Sequence, residues 1–71
     1  MNREMLKYLV ELSGGEVDVI DIDRFFKKFP KSKSMENDLA FLQRMGYISV
    51  LYADDGIEAI GVNQYGVNAV K

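Results

Sequence analysis

The chain has 71 residues, of which 48% are apolar and 28% are charged, and its formal net charge is −2. This length fits one domain, 1–71, and the composition is that of a folding globular chain. There is no cysteine and no histidine, which excludes disulfides, catalytic histidines and Cys- or His-ligated metals. We therefore expect neither an enzyme nor a cofactor or metal site. A secreted domain of this size would usually need disulfides, so the composition favours a cytoplasmic location.

Charge is unevenly distributed along the chain. Residues 24–44 carry six basic and two acidic side chains, a net charge of +4, whereas the remainder carries three basic and nine acidic side chains, a net charge of −6. Such segregation can mark a binding surface. No apolar run approaches the ~18 residues of a membrane span. The amphipathic, acid-containing N-terminal segment is unlike a signal peptide, so no membrane contact is expected.

The first half of the chain predicts two helices flanking a short strand. Residues 2–12 place apolar side chains at helical spacing, and the Ser-Gly-Gly at 13–15 ends that helix. Alternation over 16–19 predicts a very short strand. Asp21 is a suitable N-cap for a second helix, which Pro30 ends. Its core side is predicted from the apolar residues at helical spacing, which are Ile22, Phe25, Phe26 and Phe29.

Acidic residues cluster before and at the start of this second helix. Asp18, Asp21 and Asp23 could suggest a cation site, but they lack the glycine-centred loop of an EF-hand. A strand edge and a helix cap explain them better.

A third helix is predicted over about 34–45, capped by Ser32 or Ser34. On a helical wheel, Met35, Leu39 and Leu42 form its core side. The roughly opposite side carries Lys33, Asn37, Ala40, Phe41 and Arg44. The methionines at 5, 35 and 45 are expected to fill gaps in the core.

The C-terminal part predicts a β-hairpin and a last short helix. Residues 47–53 and 57–62 are rich in β-formers, and Asp54-Asp55-Gly56 lies between them as a turn that needs positive φ. Asn63 is expected to cap a helix that runs through Val70, with Gly66 weakening it.

The stretch 39–48, Leu-Ala-Phe-Leu-Gln-Arg-Met-Gly-Tyr-Ile, resembles the end of the recognition helix in winged-helix (winged helix-turn-helix) DNA-binding domains, where Gly-aromatic-Ile enters the first wing strand. Val-Asn-Gln-Tyr-Gly at 62–66 is similar to the Leu-Thr-x-x-Gly motif that often follows the second wing strand. The Gly-Tyr-Ile start of the wing and the Asp-Asp near its tip also resemble small phage-associated proteins of the YjcQ type. The resemblance implies an α+β winged helix: a three-helix bundle with a short first strand, a two-stranded β-hairpin wing and a short C-terminal helix.

The resemblance also implies a function in transcription regulation. The domain would bind double-stranded DNA with its third helix in the major groove, as a module of a small bacterial or phage regulator that can form a homodimer. Lysine and arginine would neutralise phosphates, and Asn37 is the best candidate for reading a base edge. The residues expected to face DNA or lie nearby are Lys27, Lys28, Lys31, Ser32, Lys33, Ser34, Asn37, Phe41 and Arg44.

Two features favour other interpretations. The wing is acidic, with Asp54, Asp55 and Glu58 near its tip, and phosphate would repel these carboxylates. Phe41 on the reading side of the third helix suits a protein contact better than a base edge. The alternative is therefore a winged-helix protein-interaction or dimerisation module that does not bind DNA. The lysine cluster can also be read as no more than a solvated face.

Overall fold

Four helices and three strands follow one another in a computed structural model that describes all residues, Met1–Lys71. The elements are α1 (Arg3–Leu12), β1 (Asp18–Val19), α2 (Ile22–Lys28), α3 (Lys33–Arg44), β2 (Ile48–Ala53), β3 (Gly56–Val62) and α4 (Gln64–Ala69). The strands form one antiparallel sheet in the order β1-β3-β2. The fold class is thus α+β, as the sequence predicted. The longest helix, α3, has 12 residues, and none of the helices combines the length and apolarity needed to cross a bilayer.

Side-chain caps explain where the first three helices begin. The amide oxygen of Asn2 accepts from the first turn of α1, and Asp21 accepts from two N–H groups of α2. The Ser32 hydroxyl accepts from the Met35 N–H at 3.0 Å, so Ser32 rather than Ser34 caps α3. The helix therefore starts at residue 33, one residue earlier than predicted.

One core joins α1, α2, α3, the sheet and α4. Its thirteen buried apolar residues are Met5, Leu6, Leu9, Val10, Ile20, Phe25, Met35, Leu39, Leu42, Ile48, Ile60, Val62 and Val67. Of the four apolar residues predicted as the core side of α2, only Phe25 is fully buried, and Ile22, Phe26 and the C-cap residue Phe29 are half-buried against this core. The expectation that Met45 fills the core is wrong, because this residue caps the C-terminus of α3 and is 49% exposed.

The hairpin forms where the sequence predicted it. Asp54 and Asp55 form a two-residue loop, and the one positive φ of the turn, 127°, belongs to Gly56 at the start of β3. The pairing register then shifts, which leaves Glu58 unpaired as a bulge. β1 is shorter than the predicted strand, and only its two residues pair with β3.

The start of α4 lies against the loop between α3 and β2. Asn63 occupies the N-cap position but makes no capping hydrogen bond, and its side-chain amide instead donates to the Gly46 carbonyl at 3.2 Å. Asn63 is thus the N-cap residue, as predicted, but its side chain joins two segments instead of capping the helix. Gly66 lies so close to Tyr47 that a β-carbon would collide with the Tyr47 carbonyl.

Candidate nucleic-acid interface

The outward side of α3 is free of any covering segment. Three side chains on the opposite side, Met35, Leu39 and Leu42, are at most 4% exposed and fix the rotation of the helix. At about 100° per residue, the residues pointing furthest from that core line are Lys33, Asn37, Ala40 and Arg44. All four are exposed. We call these four residues the outer α3 face.

The outer α3 face combines two cations with one amide and lacks a carboxylate. Lys33 and Arg44 form no ion pair, and the Asn37 amide makes no hydrogen bond within the protein. The acids of the helix, Glu36 and Asp38, lie on its flanks, and Asp38 accepts from the Asn2 amide at 3.0 Å. The free donors of this face are therefore available to an anionic partner.

Lys28 is oriented away from the outer α3 face and towards α1. Its Nζ lies 4.0 Å from a carboxylate oxygen of Glu4 and 4.5 Å from the centroid of the Tyr8 ring. This is the single ion pair of the structure. Both partners are well exposed, so it contributes little to stability. Because its Nζ lies beside Glu4 and Tyr8 of α1, Lys28 is apart from the other cations of the predicted site.

Lys31 lies between α2 and the hairpin turn. Its Nζ is 5.0 Å from the centroid of the Phe26 ring and 3.9 Å from the position that a β-carbon would take on Gly56. The ammonium group is therefore next to the acidic loop of Asp54 and Asp55, although it forms no ion pair with either of them. Its field partly offsets theirs.

The two serines of the predicted site have different surroundings. Both serines are exposed, but only the Ser32 hydroxyl is used by the helix cap. Ser34 borders an open depression of about 250 Å³ on the α1 side of α3, together with Lys28 and Asp38. Lys27 is exposed on α2 and forms no ion pair. Of the nine predicted residues, the structure thus groups Lys33, Asn37 and Arg44 on one face.

An apolar strip runs along one flank of the outer α3 face. Phe41 is 40% exposed and Met45 is 49% exposed, and they are four residues apart, about one helical turn. The sequence pointed to Phe41 but missed Met45. The wheel places Met45 beside the core residues, but the chain leaves the helix there, at Gly46, and the side chain remains in solvent.

The hairpin has the opposite charge to α3. Its carboxylates, Asp54, Asp55 and Glu58, are all exposed, and residues 45–70 contain neither lysine nor arginine. A polyanion would therefore be attracted to α3 and repelled by the hairpin.

Comparisons of this chain with protein-family models, with curated proteins and with solved structures found no match.

Proposed function

We propose that this chain is a winged-helix DNA-binding module of a small bacterial or phage transcriptional regulator, with α3 in the major groove. The order of helices and strands supports the resemblance, with β2 and β3 as the wing. The observation that carries the proposal is the outer α3 face, which is exposed, cationic at both ends and free of acids.

The spacing along α3 suits a groove. Eleven residues separate Lys33 from Arg44, which at ~1.5 Å per residue is ~16 Å along the axis. The major groove is ~12 Å wide, so the two cations can reach phosphates on its opposite sides. Asn37 lies between them, one turn from Lys33, where a side-chain amide can pair with an adenine edge.

The acidic hairpin confines the contact to α3 and the end of α2. If Lys27, Lys33 and Arg44 each neutralise one phosphate, the logarithm of affinity falls with the logarithm of salt concentration with a slope of about −2.7. Raising salt fourfold then weakens binding by about 40-fold. Without Lys33 and Arg44 the slope is about −0.9, and the same change in salt weakens binding only about 3-fold.

The experiment is a salt titration of binding to a labelled random-sequence duplex, followed by fluorescence anisotropy. It compares the wild type with the double variant Lys33→Gln/Arg44→Gln. Lys28→Gln is the control, because it also removes a positive charge but at a site directed towards α1. We expect the double variant to bind more weakly at low salt and to lose about two thirds of the slope. Equal slopes for the wild type and the double variant would contradict the proposal.

A second candidate function is a protein-interaction or dimerisation module, which the exposure of Phe41 and Met45 favours. An exposed aromatic beside a methionine is a common composition of protein contacts. This function predicts self-association that Phe41→Asp abolishes, measured by sedimentation over a range of concentrations. Monomers for both proteins at every concentration would exclude dimerisation through this strip.

A further inference from the structure

The three-stranded sheet has one side against the core and one side in solvent. Ile48, Val50, Ile60 and Val62 face the helices. On the other side, Leu51 pairs with Ala59, and Gly61 pairs with Ser49 and with Val19. Side chains of directly paired residues share one side of a sheet. We call these five residues the outer sheet face.

The outer sheet face is apolar except for Ser49, and it is uncovered. Val19 is 63% exposed and Leu51 is 58% exposed, so no helix packs on this side. A methyl carbon of Val19 lies 3.9 Å from the position of a β-carbon on Gly61, so this side chain extends over the middle strand. Small residues, Ala59 and Gly61, leave a shallow apolar surface between Val19 and Leu51 that a partner's aliphatic side chains could fill.

Negative charge surrounds this surface. The three strands and the hairpin loop carry four acidic side chains and no basic one, although Lys31 of the α2–α3 connection lies beside the hairpin tip. The Asp54-Asp55 loop lies at the tip of the hairpin and Glu58 is the bulge residue of β3, whereas Asp18 pairs with Val62 and so lies on the other side of the sheet. These carboxylates are exposed. Charge complementarity therefore requires a cationic occupant.

A second copy of the chain does not fit this face. A symmetric contact between two outer sheet faces would place the carboxylates of one copy opposite those of the other, and such like-charge contacts are unfavourable. Strand addition is also hindered. The Gln43 side-chain oxygen accepts from the Val50 N–H on the free edge of β2, and the other edge strand, β1, has only two residues. The occupant must therefore pack on the outer sheet face rather than extend the sheet at one of its edges.

We propose that the outer sheet face docks a basic segment of a partner protein. Aliphatic side chains of that segment pack on Val19 and Leu51, and its lysines or arginines lie beside Asp54, Asp55 and Glu58. This interaction is distinct from DNA binding, because it uses the acidic surface of the sheet rather than the basic surface of α3. It leaves the outer α3 face free.

The test is a titration of the full-length ¹⁵N-labelled chain with a synthetic peptide of about eight alternating lysines and valines, long enough to cross the hairpin. A lysine–serine peptide of equal length and charge separates apolar packing from charge alone. The protein variant is Leu51→Ser, which lies on an exposed position and leaves the core intact. Its melting curve and its DNA binding are measured alongside, and both are expected to match those of the wild type.

We expect saturable shifts of the Val19, Leu51 and Ala59 amides, with binding about tenfold weaker for the lysine–serine peptide and for Leu51→Ser. Added salt weakens all of these complexes. The proposal is overturned if neither peptide saturates, if both peptides bind equally well, or if the shifts lie on α3. Self-association of the free chain that Leu51→Ser removes would show that a second copy is the occupant, and it would also overturn the proposal.

Discussion

Replacing Gly66 by alanine tests the packing of α4 in a way that distinguishes local propensity from tertiary contact. Considered alone, α4 should gain from the change, because glycine in a helix is about 1 kcal/mol less favourable than alanine. In the folded protein the new β-carbon would collide with the Tyr47 carbonyl. The two considerations predict opposite signs for the change in stability.

The contact is expected to outweigh propensity. Overpacking costs about 1–3 kcal/mol. The upper end applies here, because the obstacle is main chain rather than a movable side chain. The same Tyr47 carbonyl accepts the Asn63 N–H at 2.9 Å, and displacing it would weaken a hydrogen bond worth about 1 kcal/mol. After the gain in propensity is subtracted, Gly66→Ala should lower the free energy of unfolding by about 2–3 kcal/mol.

The assay is thermal unfolding followed by circular dichroism. For a domain of this size each 1 kcal/mol shifts Tm by about 4–8 °C, so Gly66→Ala should melt roughly 10–20 °C below the wild type. Asn68→Ala is the control, since it lies on the exposed side of the same helix and should change stability by less than about 0.5 kcal/mol. A Gly66→Ala protein that melts at or above the wild-type temperature would refute the close packing of α4 on Tyr47.

Two further predictions concern α3. Ser32→Ala should lower Tm by about 4–8 °C, because it removes a helix cap worth about 1 kcal/mol. The control Ser34→Ala should leave Tm unchanged. Equal effects of the two changes would argue against the observed cap. Met35→Ala truncates a buried side chain and should lower the free energy of unfolding, measured in urea, by about 2–5 kcal/mol. Met45→Ala should lower it by less than about 0.5 kcal/mol. A large loss of stability for Met45→Ala would mean that this side chain is packed.

Much of the fold follows from local signals in the sequence. The caps at Asp21 and Ser32, the stop at Pro30 and the turn before Gly56 depend on a few neighbouring residues, so they could be predicted without knowledge of the tertiary structure. The core side of α3 follows from helical spacing in the same way. The order of the strands in the sheet, in contrast, depends on contacts between distant segments.

The candidate site could be predicted only in part, for the same physical reason. The wheel correctly identified Lys33, Asn37 and Arg44 as outward residues, because the helix itself fixes their directions. Lys28 and Lys31 have flexible side chains outside α3, and their orientation depends on Glu4, Tyr8, Phe26 and the hairpin. Apart from Phe26, those partners are distant in sequence, so no local pattern could assign them.

The proposed DNA contact is too small to give a regulator its selectivity with one copy of the chain. A bidentate contact from Asn37 discriminates between bases by about 1–3 kcal/mol, whereas specific complexes exceed non-specific ones by about 4–10 kcal/mol. The acidic hairpin cannot close this gap, since its carboxylates are repelled by phosphate. The remaining selectivity must come from additional contacts, either from a second copy on an adjacent half-site or from a partner protein. A basic partner on the outer sheet face would reverse the charge around the hairpin, and the wing could then approach the DNA backbone from which it is otherwise repelled.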